Sequence, residues 1–297
     1  MARDRATLAA FGAAVVIGGT NFLAVKFSNE ELEPLPGAAI RFTAAALLLY
    51  AICAIRRYEM PRGRAAVGAV IYGLLGFGIS YWALYYAVLG MGAGPTSVII
   101  ASVPLATLIL AVIHRQEVLT TRGVVGGILA VIGIAVLSLR SLETDVEPSY
   151  VVAAIVGVLA IAESGVVIKG FPRAHPISTN ALGMGAGALL LIVAALAFDP
   201  SWALPSRGRT WVALVYLVVV GSGVLFWLFL FVIARWTASA TSYITTLFPV
   251  VAVTLGALFA DEEITIELLL GGALVLVAVY IGALSGTSRV KPPPTSG

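Results

Sequence analysis

The sequence predicts an all-α integral membrane protein. Ten transmembrane helices form two five-helix repeats of inverted topology, with both termini cytoplasmic. Three observations carry this. Of 297 residues, 60% are hydrophobic and only 11% charged, less than half the charge of a usual soluble domain. A soluble fold could not hide so much apolar surface, so lipid is the solvent. The second half also repeats the first at an offset of 145, which lays Gly76, Gly78 and Trp82 on Gly221, Gly223 and Trp227, and Thr96, Ser97 and Pro104 on Thr241, Ser242 and Pro249. A nearby offset of 143 lays Lys26 on Lys169. Finally, lysine and arginine are distributed asymmetrically between alternate loops.

Each span follows from the need for roughly 20 mostly apolar residues. Residues 7–25 are free of charge and give the first span; 36–55 give the second, interrupted only by Arg41. The first is too long for a signal-peptide core and has a counterpart in the sixth, so it reads as a span. Residues 65–113 carry no charge. A straight helix of that length would be about twice the bilayer core, so it turns at residues 90–95 and makes spans three and four. Residues 120–139 are the fifth. Beyond a polar linker, the sixth is 150–168, broken by Glu163, and the rest are 176–198, 210–234, 237–260 and 266–285. The domains are therefore 1–140, a linker at 141–149, a second repeat at 150–287, and a tail at 288–297 whose three prolines mark it as disordered.

With the N-terminus inside, 13 of the 18 lysines and arginines fall on inner segments and three, Arg140, Arg207 and Arg209, on outer ones; Lys26 and Arg41 lie within spans. This bias places both termini in the cytoplasm. Five spans per repeat insert the second copy upside down, a mark of secondary transporters whose site lies where the copies meet.

The composition excludes several chemistries. One cysteine, Cys53, allows no internal disulfide, and two histidines, His114 and His175, leave too few ligands for a histidine-rich metal site. No metal or cofactor is expected. Basic residues lie scattered in short loops, so no nucleic acid is expected either. No phosphate-cradling G-x-x-x-x-G-K-[ST] occurs, which argues against ATP-driven transport.

Lys26, Arg41 and Glu163 sit in or at the edge of the hydrocarbon, where a charge is costly unless it faces a cavity or partner. Lys26 and Arg41 lie close enough to a span end to snorkel instead. Glu163 lies too deep for that, and is a candidate for binding an amine or exchanging a proton, or else a structural pair with Lys169 or another cation. Tyr81, Trp82, Tyr85 and Tyr86 stack at i,i+4 in span three, and Phe226, Trp227, Phe229 and Phe231 answer them in span eight. They read as an aromatic-lined cavity or as an interfacial belt. Hydroxyls including Thr241, Ser242, Tyr243, Thr245 and Thr246 precede Pro249, as Thr96, Ser97 and Ser102 precede Pro104. Those prolines free carbonyls that can bind substrate or let a helix bend, unless the hydroxyls simply pack helices. Asn21, with Thr20, Ser164 and Asn180, adds hydrogen-bonding groups. The expected substrate-binding set is Glu163, Lys26, Tyr81, Tyr85, Trp82, Asn21, Arg41, Tyr243, Thr245 and Trp227, with Pro104 and Pro249 as kinks.

The stretch 238–249, the Asp261-Glu262-Glu263-Ile264-Thr265 turn and the Gly271-Gly272 pair resemble the drug/metabolite transporter superfamily in its EamA-domain branch. So do residues 19–26, ending in Lys26, and Ala39-Ile40-Arg41-Phe42. Within the branch the chain most resembles the YddG-type exporters of aromatic amino acids. The second repeat keeps Lys169 but has no arginine matching Arg41. The resemblance implies a non-enzymatic secondary transporter in the cell inner membrane that exports amino acids, aromatic ones favoured, by alternating access. Its partners would be the small-molecule substrate, the bilayer and, as a candidate coupling ion, protons. A zwitterion would use both signs of buried charge. The alternatives are an exporter of cationic drugs and, more remotely, a membrane-embedded lipid-modifying enzyme.

Overall fold

The computed structural model describes residues 5–91, 93–139, 147–198, 202, 204–259 and 266–284. The acidic turn Asp261-Glu262-Glu263, most of the linker (141–146) and the tail 288–297 lie outside the described residues.

All regular structure among the described residues is helical. The first half comprises α1 (Arg5–Ser28), α2 (Pro34–Arg56), α3 (Arg64–Gly73), a π-helical segment (Leu74–Ile79), α4 (Ser80–Met91), α5 (Ala93–Ile100), α6 (Val103–Ile113) and α7 (Thr121–Leu137). The second comprises α8 (Pro148–Gly170), α9 (Pro176–Phe198), α10 (Gly208–Val218), a second π segment (Val219–Val224), α11 (Leu225–Ile233), α12 (Ala238–Thr246), α13 (Phe248–Phe259), α14 (Ile266–Val279) and a last π segment (Tyr280–Leu284). Seven described helices are long and apolar enough to cross a membrane, with α3 to α4 and α10 to α11 each running through a π segment as one span. Three shorter apolar helices, Thr121–Leu137, Ala238–Ala252 and Leu269–Leu284, accompany them. The chain is a multi-pass membrane protein.

The expected helix ends have visible causes. Pro34 and Pro148 lie in the first turns of α2 and α8, where a missing N–H costs nothing. Thr120 and Thr237 cap α7 and α12 by accepting from Gly123 N and Ala240 N at 3.1 and 3.2 Å. Pro104 and Pro249 lie just after short turns at Ala101-Ser102 and Leu247, where the backbone stays right-handed and the apolar helices Pro95–Ile113 and Ala238–Ala252 run through. A proline cannot donate to the carbonyl four residues back, which interrupts the helical ladder at these two places.

The two π segments that interrupt long spans are related by the same offset of 145, and each contains one of the repeated glycine pairs, Gly76/Gly78 and Gly221/Gly223. Corresponding helices also meet: α2 packs on α9, and α7 on α14. Glycines set the closest approaches. A Cβ on Gly73 would stand 1.9 Å from the carbonyl oxygen of Gly183, and one on Gly271 2.7 Å from that of Gly133. Two glycine pairs spaced four apart pack in the same way: Gly123 and Gly127 seat Leu108 and Leu105, and Gly183 and Gly187 receive the α3 turn and Phe77.

Trp236 stacks near Phe11, at the start of α1, with ring centroids 5.1 Å apart, and its carbonyl accepts from Lys169 at the end of α8. So α1 and α8, which the repeat aligns, run in opposite directions. The end of the bundle holding Arg5 is called the Arg5 end below, and the other, with the α1–α2 connection, the Glu31 end.

Candidate functional site

Arg41 is the buried charge around which the site is built. It lies on α2 with 4% of its surface exposed, and it does not snorkel. Its Nε donates to Ser222 Oγ at 2.9 Å and its Nη2 to Gly221 O at 2.8 Å. The backbone makes this possible. In the π segment the amide of Leu225 bonds to the carbonyls of Val220 and Ser222 and skips that of Gly221, which accepts from Arg41 and also from Asn21 Nδ2 at 3.1 Å. A Cβ on Gly221 would stand 2.3 Å from Asn21 Oδ1, so a larger residue there would push the Asn21 amide off the Gly221 carbonyl. Among the described residues no carboxylate pairs with Arg41. A buried guanidinium with only dipoles around it is incompletely compensated and favours an anion beside it.

Aromatic rings enclose that charge. The Arg41 Cζ lies 5.0 Å from the Phe42 ring centre and 6.0 Å from that of Tyr81. Tyr81 meets Phe42 edge-on at 4.7 Å. A chamber of about 10 Å³ lies against Arg41, lined by Val25, Ser28, Asn29, Gly37, Ala38, Tyr81, Tyr85 and Leu217. Beside it, towards the Glu31 end, opens a groove of about 710 Å³ lined by Glu33, Leu35, Ile79, Trp82, Tyr85, Tyr86, Val156 and Phe198, among others. Tyr85 lines both, forming the wall they share. Trp82 stacks on Phe198 at 5.4 Å. The groove is large enough for a small molecule with a flat ring.

The structure thus brings Arg41, Asn21, Tyr81, Tyr85 and Trp82 together. It sets the other expected residues elsewhere. Lys26 is exposed on α1. Trp227 is 38% exposed and packs against Phe231, on the outside of the bundle. Tyr243 is buried, its hydroxyl wedged against Gly126 and Gly282 and, among the described residues, without a hydrogen-bond partner. Thr245 donates to Ser242 O within its own helix at 2.8 Å. Glu163 pairs with His114 rather than Lys169, at 3.0 Å. Ser222 was not singled out by the sequence, although the repeated glycines flanking it marked the segment. Among the described residues no group of three or more His, Cys, Asp or Glu could hold a metal ion.

Polar contacts tie the helices together at both ends. At the Arg5 end, Lys169 Nζ donates to Ile233 O at 2.8 Å and to Trp236 O, and Arg173 to Ala234 O at 2.8 Å. These cations sit where α11 presents its free carbonyls. Arg115 adopts a left-handed φ of 59° and turns the chain after α6. Gln116 then reaches Val166 O at 2.9 Å, and Glu117 accepts from the amide (3.1 Å) and hydroxyl of Ser239 at the start of α12. Ser164, the sixth-span counterpart of Asn21, lies against Gly76 of the other π segment.

At the Glu31 end, Glu31 accepts from the amides of Ser206 and Arg207 at 3.1 and 3.0 Å, from the Ser206 hydroxyl, and from Thr210 Oγ1 at 2.6 Å. It is the anion at the N-terminus of α10. These bonds, led by the two hydroxyls, hold its carboxyl down at about 2, below the usual 4.5. A lowered carboxylate contributes stability that is complete above the unfolded value and is lost as pH falls through the folded one. Wild type is therefore expected to lose thermal stability between about pH 4.5 and pH 2 more steeply than Glu31→Gln, as read from melting temperatures in detergent. Parallel curves would show that the cap contributes nothing.

Comparison with known proteins agrees with this architecture. The sequence model of the EamA-like transporter family matches twice, at residues 5–139 and 148–283. The chain is 29% identical over 288 residues to "Uncharacterized inner membrane transporter YedA" of Escherichia coli K12, covering 94% of this chain and 92% of the relative. It is 26% identical over 289 residues to "Probable amino-acid metabolite efflux pump" of the same organism, covering 90% and 91%. A solved structure titled "Crystal structure of protein" superposes with a TM-score of 0.81 over 94% of this chain and 97% of its own, at 19% identity, and so shares the fold. Two family-wide matches to one chain, over helices apolar enough for a bilayer, lead to one conclusion: this protein belongs to the EamA-like transporter family.

Proposed function

We propose that the protein exports amino acids, aromatic ones favoured, across the cell inner membrane by alternating access between two inverted five-span repeats. Both termini face the cytoplasm in this reading, so the Arg5 end is cytoplasmic and the Glu31 end is outside. The supporting observation is Arg41: a buried guanidinium without a carboxylate partner among the described residues, set beside a groove walled by Tyr85, Trp82, Tyr86 and Phe198. The guanidinium takes the substrate carboxylate, for which its planar fork is suited. The aromatic wall takes the ring. Tyr85, between chamber and groove, must turn aside for both contacts to form at once. Asn21 and Ser222 hold the arginine in place. The relative named as an amino-acid metabolite efflux pump supports the substrate class, and the basic bias of the Arg5 end supports the orientation.

One observation favours a second reading, export of cationic drugs: Glu33 lies in the groove among the same rings. Efflux of labelled phenylalanine, tryptophan and threonine from proteoliposomes separates the two. Amino acid export predicts flux of the aromatic pair, blocked by excess unlabelled phenylalanine and not by a quaternary ammonium ion. Inhibition by the quaternary ion, with no amino acid flux, would overturn it.

A further inference from the structure

We propose that His114 and Glu163 form a proton-binding latch between the two repeats, and that opening the Arg5 end releases its proton. The proposal rests on the alternating-access reading above and adds a pH-dependent closure of the Arg5 end to it. His114 Nε2 lies 3.0 Å from Glu163 Oε1. The other oxygen, Oε2, is buried and has no hydrogen-bond partner among the described residues. Glu163 lies seven residues before the end of α8, about 10 Å along the helix at 1.5 Å per residue. A carboxylate at such depth is kept only with a partner or a function. The partner is an imidazole, the side chain whose ordinary titration range spans neutral pH.

The two residues belong to different copies of the repeat, His114 to the match at 5–139 and Glu163 to that at 148–283. Any motion that parts the copies at the Arg5 end must break their bond. With the imidazolium present the bond is charge-assisted and roughly twice as strong as a neutral one. The proton therefore favours the closed end. By linkage, the open end holds it less tightly and gives it from His114 to the adjoining water.

Other charges near the pair are already engaged or belong to neighbouring turns. Glu117 and Arg115 follow α6; Glu117 is bound to Ser239. Lys169 and Arg173, at and after the end of α8, bind carbonyls at the end of α11. Arg64 begins α3 and Arg122 lies in the first turn of α7, while Tyr72 of α3 bonds to Asn180 and Tyr243 of α12 is buried. Among the described residues, only His114 pairs with Glu163.

Double electron–electron resonance tests the latch without any substrate. Cys53 is the only cysteine, so Cys53→Ala carrying Val118→Cys and Arg235→Cys places one spin label on each repeat at the Arg5 end. In nanodiscs, raising pH from about 5.5 to about 8, either side of histidine's ordinary value, is expected to increase the long-distance fraction at least about threefold. In His114→Gln and in Glu163→Gln the fraction should no longer respond to pH. A distribution insensitive to pH in the parent, or an unchanged response in both variants, overturns the proposal. The distances need no substrate, so a failure of the amino acid reading leaves this test intact.

Discussion

Arg41→Gln is expected to reduce phenylalanine transport at low substrate concentration by about 100-fold. A buried charged hydrogen-bond pair is worth roughly 2–5 kcal/mol, and 3 kcal/mol corresponds to about two decades in affinity. Glutamine keeps a donor for Gly221 O or Ser222 Oγ, both within 3 Å of the arginine nitrogens now. It removes a charge that the fold itself does not neutralise, so the melting temperature should change little. Arg41→Lys keeps the charge and loses the planar fork, and should fall between the two. The comparison separates binding from folding. Transport lost in Gln and partly kept in Lys, at unchanged stability, assigns Arg41 to the carboxylate. Equal losses accompanied by a fall in melting temperature would make it a structural tie to the π segment.

The second large effect concerns packing. Gly73→Val places a Cβ 1.9 Å from the Gly183 carbonyl oxygen, where two backbones touch and no side chain can swing away. Overpacking usually costs about 1–3 kcal/mol, and contacts of backbone on backbone exceed that range. The variant should fail to accumulate, or melt far below wild type. Gly12→Ala is the control, because among the described residues nothing lies within 4 Å of its added Cβ. In a helix interior that change stabilises by about 0.5–1 kcal/mol. Similar melting curves for the two variants would show that the α3–α9 approach is not as close as described.

Particular residues show how much was legible in the sequence. The apolar spans and the repeat were, because lipid leaves few alternatives for a run of uncharged residues. Arg41 was legible too, since a charge inside a span stands out against its neighbours. The π segments were not: helical periodicity cannot distinguish a five-residue from a four-residue return, and only the repeated Gly76/Gly78 and Gly221/Gly223 pairs marked their places. The partner of Glu163 was hidden because His114 is 49 positions away and entered only as one of two histidines too few for a metal site. Trp227 shows the opposite limit. Its alignment with Trp82 predicted a shared role, yet Trp82 faces the groove and Trp227 the exterior. A repeat preserves the backbone path, while the face a side chain presents depends on which neighbour packs there.

The most direct test of the central claim is to compare, in wild-type proteoliposomes, the flux of labelled phenylalanine with that of phenethylamine, which has the same ring and amine without the carboxylate. Recognition through Arg41 predicts saturable phenylalanine flux that phenethylamine neither shares nor inhibits. Flux of phenethylamine with none of phenylalanine would contradict it, and would assign the groove and Glu33 to cations instead.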